Sequence, residues 1–231
     1  MDVVVPLDRP LIDLLAGALS ADLEVLADLI TDNGEGRVAL DSTVKTILVN
    51  NRARGSLQSI PEVLEAEIRA FGSNSIASLF RSGGVSYSEL ATDVAKKLGG
   101  KPPANADIYT IEEIVILEAV RKYVGEDAVI DSVSLTTYIG HIVSSLVTAA
   151  GTAAGIAATA GTAGFASAIS GRLVTLVAPP LAVAAAGATV FQATGPAFRI
   201  TIPAVLQVAK IRRVRYDADL VSYTESLRAC M

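Results

Sequence analysis

The stretch AAGTAAGIAATAGTAGFASAISG, residues 149–171, contains no charged residue, has Phe165 as its single aromatic, and places a small side chain at almost every position. A bilayer, the centre of a helical bundle and a linker are three environments that suit such a run. Its surroundings narrow the choice. Between residues 132 and 198 the only charge is Arg172, and a helix that is apolar on every side must be buried in something. Two parts are long enough to cross a hydrocarbon layer if helical, 142–164 with 23 residues and 173–194 with 22. Ser170-Gly171-Arg172 between them reads as a turn, and Pro179-Pro180 bends or breaks the second arm. The pattern predicts a hydrophobic helical hairpin.

Neither arm is a strong anchor. The first has Ile142, Val143, Leu146, Val147 and Ile156 as its strongly apolar members, worth roughly −2 kcal/mol on an insertion scale. The second has Leu173, Val174, Leu176, Val177, Leu181, Val183, Val190 and Phe191, worth roughly −4 kcal/mol before the Pro and Gly costs. Gly151 and Gly155 form GxxxG, and Ala150, Ala154 and Ala158 extend the small-residue face, which allows close helix approach. The pair of arms is therefore marginal. It suits the buried centre of a bundle and also a segment that leaves that centre for lipid, as the hairpins of colicin-type pore formers do.

Charge divides the remainder. Residues 1–131 carry 12 Lys/Arg against 21 Asp/Glu, a net of −9, whereas residues 199–231 carry six basic and three acidic residues. An acidic helical body (1–131), an uncharged hairpin (132–198) and a basic C-terminal helix (199–231) are the expected segments of one integrated domain. An acidic body argues against nucleic-acid binding, which needs a basic face. Cys230 is the single cysteine and is read as an exposed terminal thiol, with no intramolecular disulfide available to it. The opening Met-Asp-Val-Val-Val-Pro lacks the basic region and apolar run of a Sec signal, so synthesis in the cytoplasm and a cytoplasmic or membrane-associated residence are expected.

The body reads as helix throughout, with no alternating run that demands a strand. Segments 10–19 and 20–31 form a pair, with Ser20 placed to cap the second and Leu23, Leu26, Ala27 and Ile30 as its apolar stripe. Asp41 or Ser42 caps a helix reaching Asn50, and Pro61 opens another with Val63, Leu64, Ile68 and Phe71 inward. Two helices are expected within 71–98, the second capped by Ser86 or Ser88 and ended by Gly99-Gly100 and Pro102-Pro103. Thr110 and Glu113 have capping-box spacing, and Ile111, Ile114, Val115, Leu117 and Val120 follow as core candidates. The fold class is all-α, a multi-helix bundle around a central Ala/Gly-rich hydrophobic helical hairpin.

Beyond the hairpin, FRITIPAVLQVAKIRRVRY (198–216) reads as a helix with an apolar start and a basic end. Lys210, Arg212, Arg213 and Arg215 are candidates for contact with anionic lipid headgroups, at about 1 kcal/mol each near a charged surface. They equally suit a solvated helix end whose dipole favours cations.

Catalytic chemistry is hard to assemble from this chain. His141 is the only histidine, so a His-based triad or metal site has one imidazole to build on. There is no GxxxxGK[ST] loop. Glu112 and Glu113 are adjacent and so lie on different faces of a helix, a poor acid/base pair, while Glu62, Glu65 and Glu67 read as a solvated surface. No enzyme activity, cofactor or metal is expected.

Two stretches, FGSNSIASLFRSGGVSYSELATDVAKKL (71–98) and FRITIPAVLQVAKIRR (198–213), resemble a bacterial YaaW-like family, and LIDLLAGALSADLEVLADLIT (11–31) is similar to its N-terminal helical region. The resemblance runs over nearly the whole chain, with TIPAVLQ its most specific part. It implies an all-helical bacterial protein and assigns no residue a chemical role; some members bear a label likening them to a ubiquinol-cytochrome c chaperone.

Two function classes follow. The first is a membrane-active, pore-forming or toxin-like protein whose hairpin inserts into a bilayer, with Ile142, Leu146, Gly151, Gly155, Leu173, Leu176, Pro179, Pro180 and Phe191 as the inserting or packing residues. Its partners would be the lipid bilayer, further copies of the chain and an inhibitory or immunity protein. The second is a soluble helical interaction or chaperone-like module in which the hairpin is buried core or an oligomer interface.

Overall fold

Punctuation by caps and breakers sets the helices of the body, and the computed structural model of the chain describes residues 5–35, 40–73, 85–125, 128, 132–156 and 198–230. Eight α-helices lie in those residues: α1 (Leu11–Ala16), α2 (Ser20–Thr31), α3 (Ser42–Arg54), α4 (Pro61–Ser73), α5 (Tyr87–Leu98), α6 (Ile108–Tyr123), α7 (Ser132–Ile156) and α8 (Phe198–Ala229), with one 3-10 turn at Leu57–Ser59. No strand occurs among the described residues, so the fold is all-α as the periodicity indicates.

Local chemistry explains most boundaries. Asp41 caps α3, its carboxylate accepting from the backbone N–H of Thr43 and Val44. Ser86 caps α5 in a reciprocal capping box with Glu89. Gly99 ends α5 at φ +108°, a left-handed conformation in which a side chain is strained. Gly100 is needed for a different reason: a Cβ there would lie 2.5 Å from Ile114 Cγ2 and 3.1 Å from the carbonyl of Ala95. The Gly-Gly pair thus both stops α5 and lets the chain pass against α6.

Three expected boundaries shift. Segment 10–19 is helical only over Leu11–Ala16, and Ser20 makes no side-chain cap; its hydroxyl accepts from Gln58 Nε2 at 2.7 Å instead. Helix α3 runs on to Arg54, where Gly55 closes it at φ +64°. Helix α6 starts one turn ahead of the Thr110/Glu113 box because Asp107 caps it, accepting from Thr110 N. A carboxylate outranks a hydroxyl as an acceptor at that position.

The core is one cluster. Leu14, Leu15, Leu23, Leu26, Leu29 and Ile30 from α1 and α2 join Leu64 and Ile68 of α4, Val94 of α5, Val115 and Ile116 of α6, and Ile139 of α7. Helix α8 supplies Ile202, Val205, Leu206, Val208 and Ala209 and packs on α1, α2, α4, α5, α6 and α7. Its 32 residues span about 48 Å, and Pro203 sits inside it, where the missing N–H removes one backbone bond to the preceding turn. Described helices from the acidic body, the start of the apolar segment and the basic C-terminus therefore share one interior.

The second of the two helices expected within 71–98 is α5; the first falls mostly on residues 74–84, outside the described residues. The hairpin arms beyond residue 156 lie outside them as well. Replacing Gly100 by Ala should cost about 1–3 kcal/mol through forced displacement of Ile114, read as a lower urea midpoint with an unchanged slope; a midpoint equal to that of the parent would refute the close approach.

Candidate functional site

Four basic residues on α8 were marked by the sequence, and each meets a carboxylate. Lys210 Nζ lies 2.8 Å from Asp22 Oδ1 of α2, Arg212 Nε 2.8 Å from Glu112 Oε2 of α6, Arg213 Nη2 3.5 Å from Glu113 Oε1, and Arg215 Nε 3.0 Å from Asp219 Oδ1 one turn on. Asp219 is shared: Arg9 Nη2 of the N-terminal segment reaches its Oδ2 at 2.6 Å. The guanidinium of Arg213 also stands 5.2 Å over the ring of Tyr109, which tilts against Tyr216 at 5.9 Å. The adjacent pair Glu112-Glu113 thus answers the adjacent pair Arg212-Arg213, one rung buried and one at the surface.

The buried rung is the chemical centre. Both side chains are only 3% exposed. Tyr87 Oη donates to Glu112 Oε1 at 2.9 Å, Arg212 Nε donates to Oε2, and Arg212 Nη1 donates to the carbonyl of Arg9 at 2.6 Å. Burial pushes the Glu112 carboxyl above its ordinary value, against the opposing pull of Arg212 and of the Tyr87 hydroxyl. Burial likewise pushes the Tyr87 phenol well up, with the Glu112 charge adding to it. Each carboxylate oxygen is occupied by a protein donor. The arrangement ties α5, α6, α8 and the N-terminal segment together, and its burial leaves neither oxygen open to a substrate from solvent.

A second polar knot sits on α2. Gln207 Nε2 donates to both the carbonyl and Oδ1 of Asp22, at 3.1 and 3.0 Å, beside the Lys210 contact. Next to it a cleft of about 230 Å³ runs between α2, α7 and α8, walled by Val25, Val143 and Val147. Gly140 forms part of its wall; a Cβ there would meet nothing within 4 Å. The polar groups at its edge are already engaged: Asp28 holds Arg52 in a two-pronged pair at 2.6 and 2.7 Å, and Gln207 and Lys210 hold Asp22. Among the described residues no group of three or more His, Cys, Asp or Glu side chains is placed to hold a metal. The Tyr123 hydroxyl is buried without a hydrogen-bond partner among them, and burial raises its pKa to about 12.

The sequence-marked residues divide by place. Ile142 and Leu146 are buried on α7, in the shared core. Gly151 and Gly155 fall in the last turns of the same helix. Leu173, Leu176, Pro179, Pro180 and Phe191 lie outside the described residues. Of the basic four, Arg212 is interior and its guanidinium faces Glu112, so it reaches no lipid surface while the bundle is closed; Lys210, Arg213 and Arg215 keep partial exposure. His141 is half-buried on α7 and Cys230 is exposed. Sequence reasoning missed Tyr87, Asp22, Asp219, Arg9 and the inward role of Glu112. One signal was present: Glu112 stands three, four and seven residues before Val115, Ile116 and Ala119, all buried, which sets a carboxylate on the apolar stripe of α6.

Comparison with known proteins follows the same lines. No family model matches the chain, and no solved structure matches it. The UPF0174 protein YaaW of Escherichia coli (strain K12) is 26% identical to it over 240 residues, covering 88% of this chain and 93% of that protein. The chain resembles the YaaW-like family. That likeness covers most of the chain, and the relative's name states no activity.

Removing one partner of the buried rung leaves the other charged and unpaired. Arg212→Met should therefore lose about 3–5 kcal/mol, whereas Arg212→Met with Glu112→Met should fall near the parent or up to about 4 kcal/mol above it. Chemical denaturation of the two variants decides this; equal losses in both would refute the pairing.

Titration separates caps from core. Asp41 and Asp107 have carboxyls held below 3.8 by backbone N–H donors, so their stabilisation is present above that value and is lost as pH falls through the folded-state pKa. Glu112, raised above 4.5, has the opposite sign: its contribution is complete below 4.5 and is lost as pH rises through its folded-state value. Carboxyl NMR should show the two caps titrating below 3.8 and Glu112 above 4.5; the reverse order would overturn this account.

Proposed function

We propose that the chain is a helical interaction module that acts through its surfaces, without catalysis and without placing a hairpin in lipid. The observation that carries this reading is the burial of the first part of the apolar segment. Leu135, Ile139, Ile142, Val143 and Leu146 of α7 join Ile202, Val205, Leu206 and Val208 of α8 in one core. For α7 to enter a bilayer those contacts must open, and the neighbouring polar knot at Asp22, Gln207 and Lys210 loses its shelter with them.

Two further points support it. No described helix is long and apolar enough to cross a membrane. The buried charged side chains of the described core, Asp22, Glu112 and Arg212, are engaged with one another's helices. A module of this kind works by holding a rigid surface, and the acidic helices α2 and α4 are among those that present it.

The rival reading, a pore-forming hairpin, depends on residues 157–197, outside the described residues. One experiment separates the two. Purified without detergent, the full chain should be free of aggregates, should stay at the bottom of a density gradient with vesicles of phosphatidylcholine and phosphatidylglycerol, and should release no entrapped dye. Flotation with dye release would replace the interaction reading with the membrane-active one.

A further inference from the structure

The inward face of α8 continues past the end of the bundle. Steps of three and four residues run through Ile202, Val205, Ala209 and Arg212, all buried, to Tyr216, which rests on Tyr109. The same steps continue to Leu220, Tyr223 and Leu227. There the other described helices no longer cover it: Leu220 is 43% and Leu227 48% exposed, and from Leu220 to Cys230 every residue except Tyr223 is exposed. The spacing 216, 220, 223, 227 is that of a two-helix seam, carried on about 21 Å of helix from Tyr216 to Ala229.

We propose that this projecting tail docks a second copy of the chain, the two tails lying antiparallel about a two-fold axis between Val221 and Ser222. Pairing about that point sets Tyr216 opposite Leu227 of the partner subunit, and Leu220 opposite Tyr223 of the partner subunit. Each layer then joins one aromatic and one aliphatic side chain, and the symmetry repeats it.

Charge selects the orientation. Asp217 and Arg228 are exposed on the same flank of the seam, and among the described residues neither forms an ion pair. In the antiparallel arrangement Asp217 comes within two residues of register with Arg228 of the partner subunit, twice by symmetry. A parallel arrangement would set Asp217 against Asp217 and Arg228 against Arg228. Of the two orientations only the antiparallel one brings Asp217 near an opposite charge on this flank, and its helix dipoles are also opposed. Four layers make a small interface, of the class that forms weak, concentration-dependent complexes.

This inference goes beyond the interaction reading and survives its loss, because a chain that floats with vesicles can still pair through its tail. Sedimentation equilibrium on the full chain, in a series reaching about 1 mM, should show a monomer–dimer equilibrium. Leu220→Glu with Leu227→Glu should abolish the dimer and leave the far-ultraviolet dichroism and melting temperature unchanged, since both positions are exposed. Asp217→Arg and Arg228→Asp should each raise the dissociation constant about tenfold, and the two together should restore it. A monomer throughout the series, a dimer that survives the apolar double substitution, or a charge exchange that fails to restore pairing would each overturn the proposal.

Discussion

A guanidinium and a carboxylate 100 residues apart, Arg212 and Glu112, meet in the interior at 2.8 Å, and the placement of α8 depends on that meeting. An ion pair taken out of water loses hydration worth several kcal/mol per charge, so it adds little net stability. Its effect is on alternatives. A shift of α8 by one residue that put Ile211 in the place of Arg212 would leave Glu112 holding only Tyr87. The Arg9 carbonyl, which accepts from Nη1, fixes the rotation as well as the height of the helix. Apolar burial drives α8 into the bundle, and the polar rung determines which register it takes.

The surrounding pairs extend the same rule along two turns. Asp22 takes Lys210 and Gln207, Glu113 takes Arg213, and Asp219 takes both Arg215 and Arg9. The exposed members of this series contribute little individually, since exposed pairs are screened by water and salt. Their arrangement still matters, because the N-terminal segment, α2 and α6 each present a polar partner to the same stretch of α8. The acidic body and the basic helix are complementary halves of a single electrostatic pattern.

That complementarity shows where the sequence was readable and where it was not. Local signals were legible: the apolar stripe of α2, the Asp41 and Ser86 caps, and the Gly99-Gly100 stop all depend on residues within a few positions of each other. The site was legible on one side only. Lys210, Arg212, Arg213 and Arg215 stand out as a cluster, yet a run of cations beside an apolar segment fits a lipid surface and a protein surface equally well. The acidic excess of residues 1–131 was the other half of that information, and nothing local says which carboxylate turns inward. Glu112 and Asp22 were obscured because helical periodicity assigns charges to solvent by default. The Asp107 cap was overlooked because Thr110 and Glu113 form an equally regular pattern one turn later.

Helix α8 closes the interior after every other described helix, and synthesis imposes an order on that closure. Glu112 leaves the ribosome 100 residues ahead of Arg212, an interval of roughly 5–20 s at ordinary elongation rates. During that time Val115, Ile116 and Leu26 wait without the helix that covers them, and Glu112 waits without its cation. The nascent body is therefore an incomplete, sticky intermediate until the C-terminal helix emerges, and any factor that shields it in that interval would act on the helices α1 to α6.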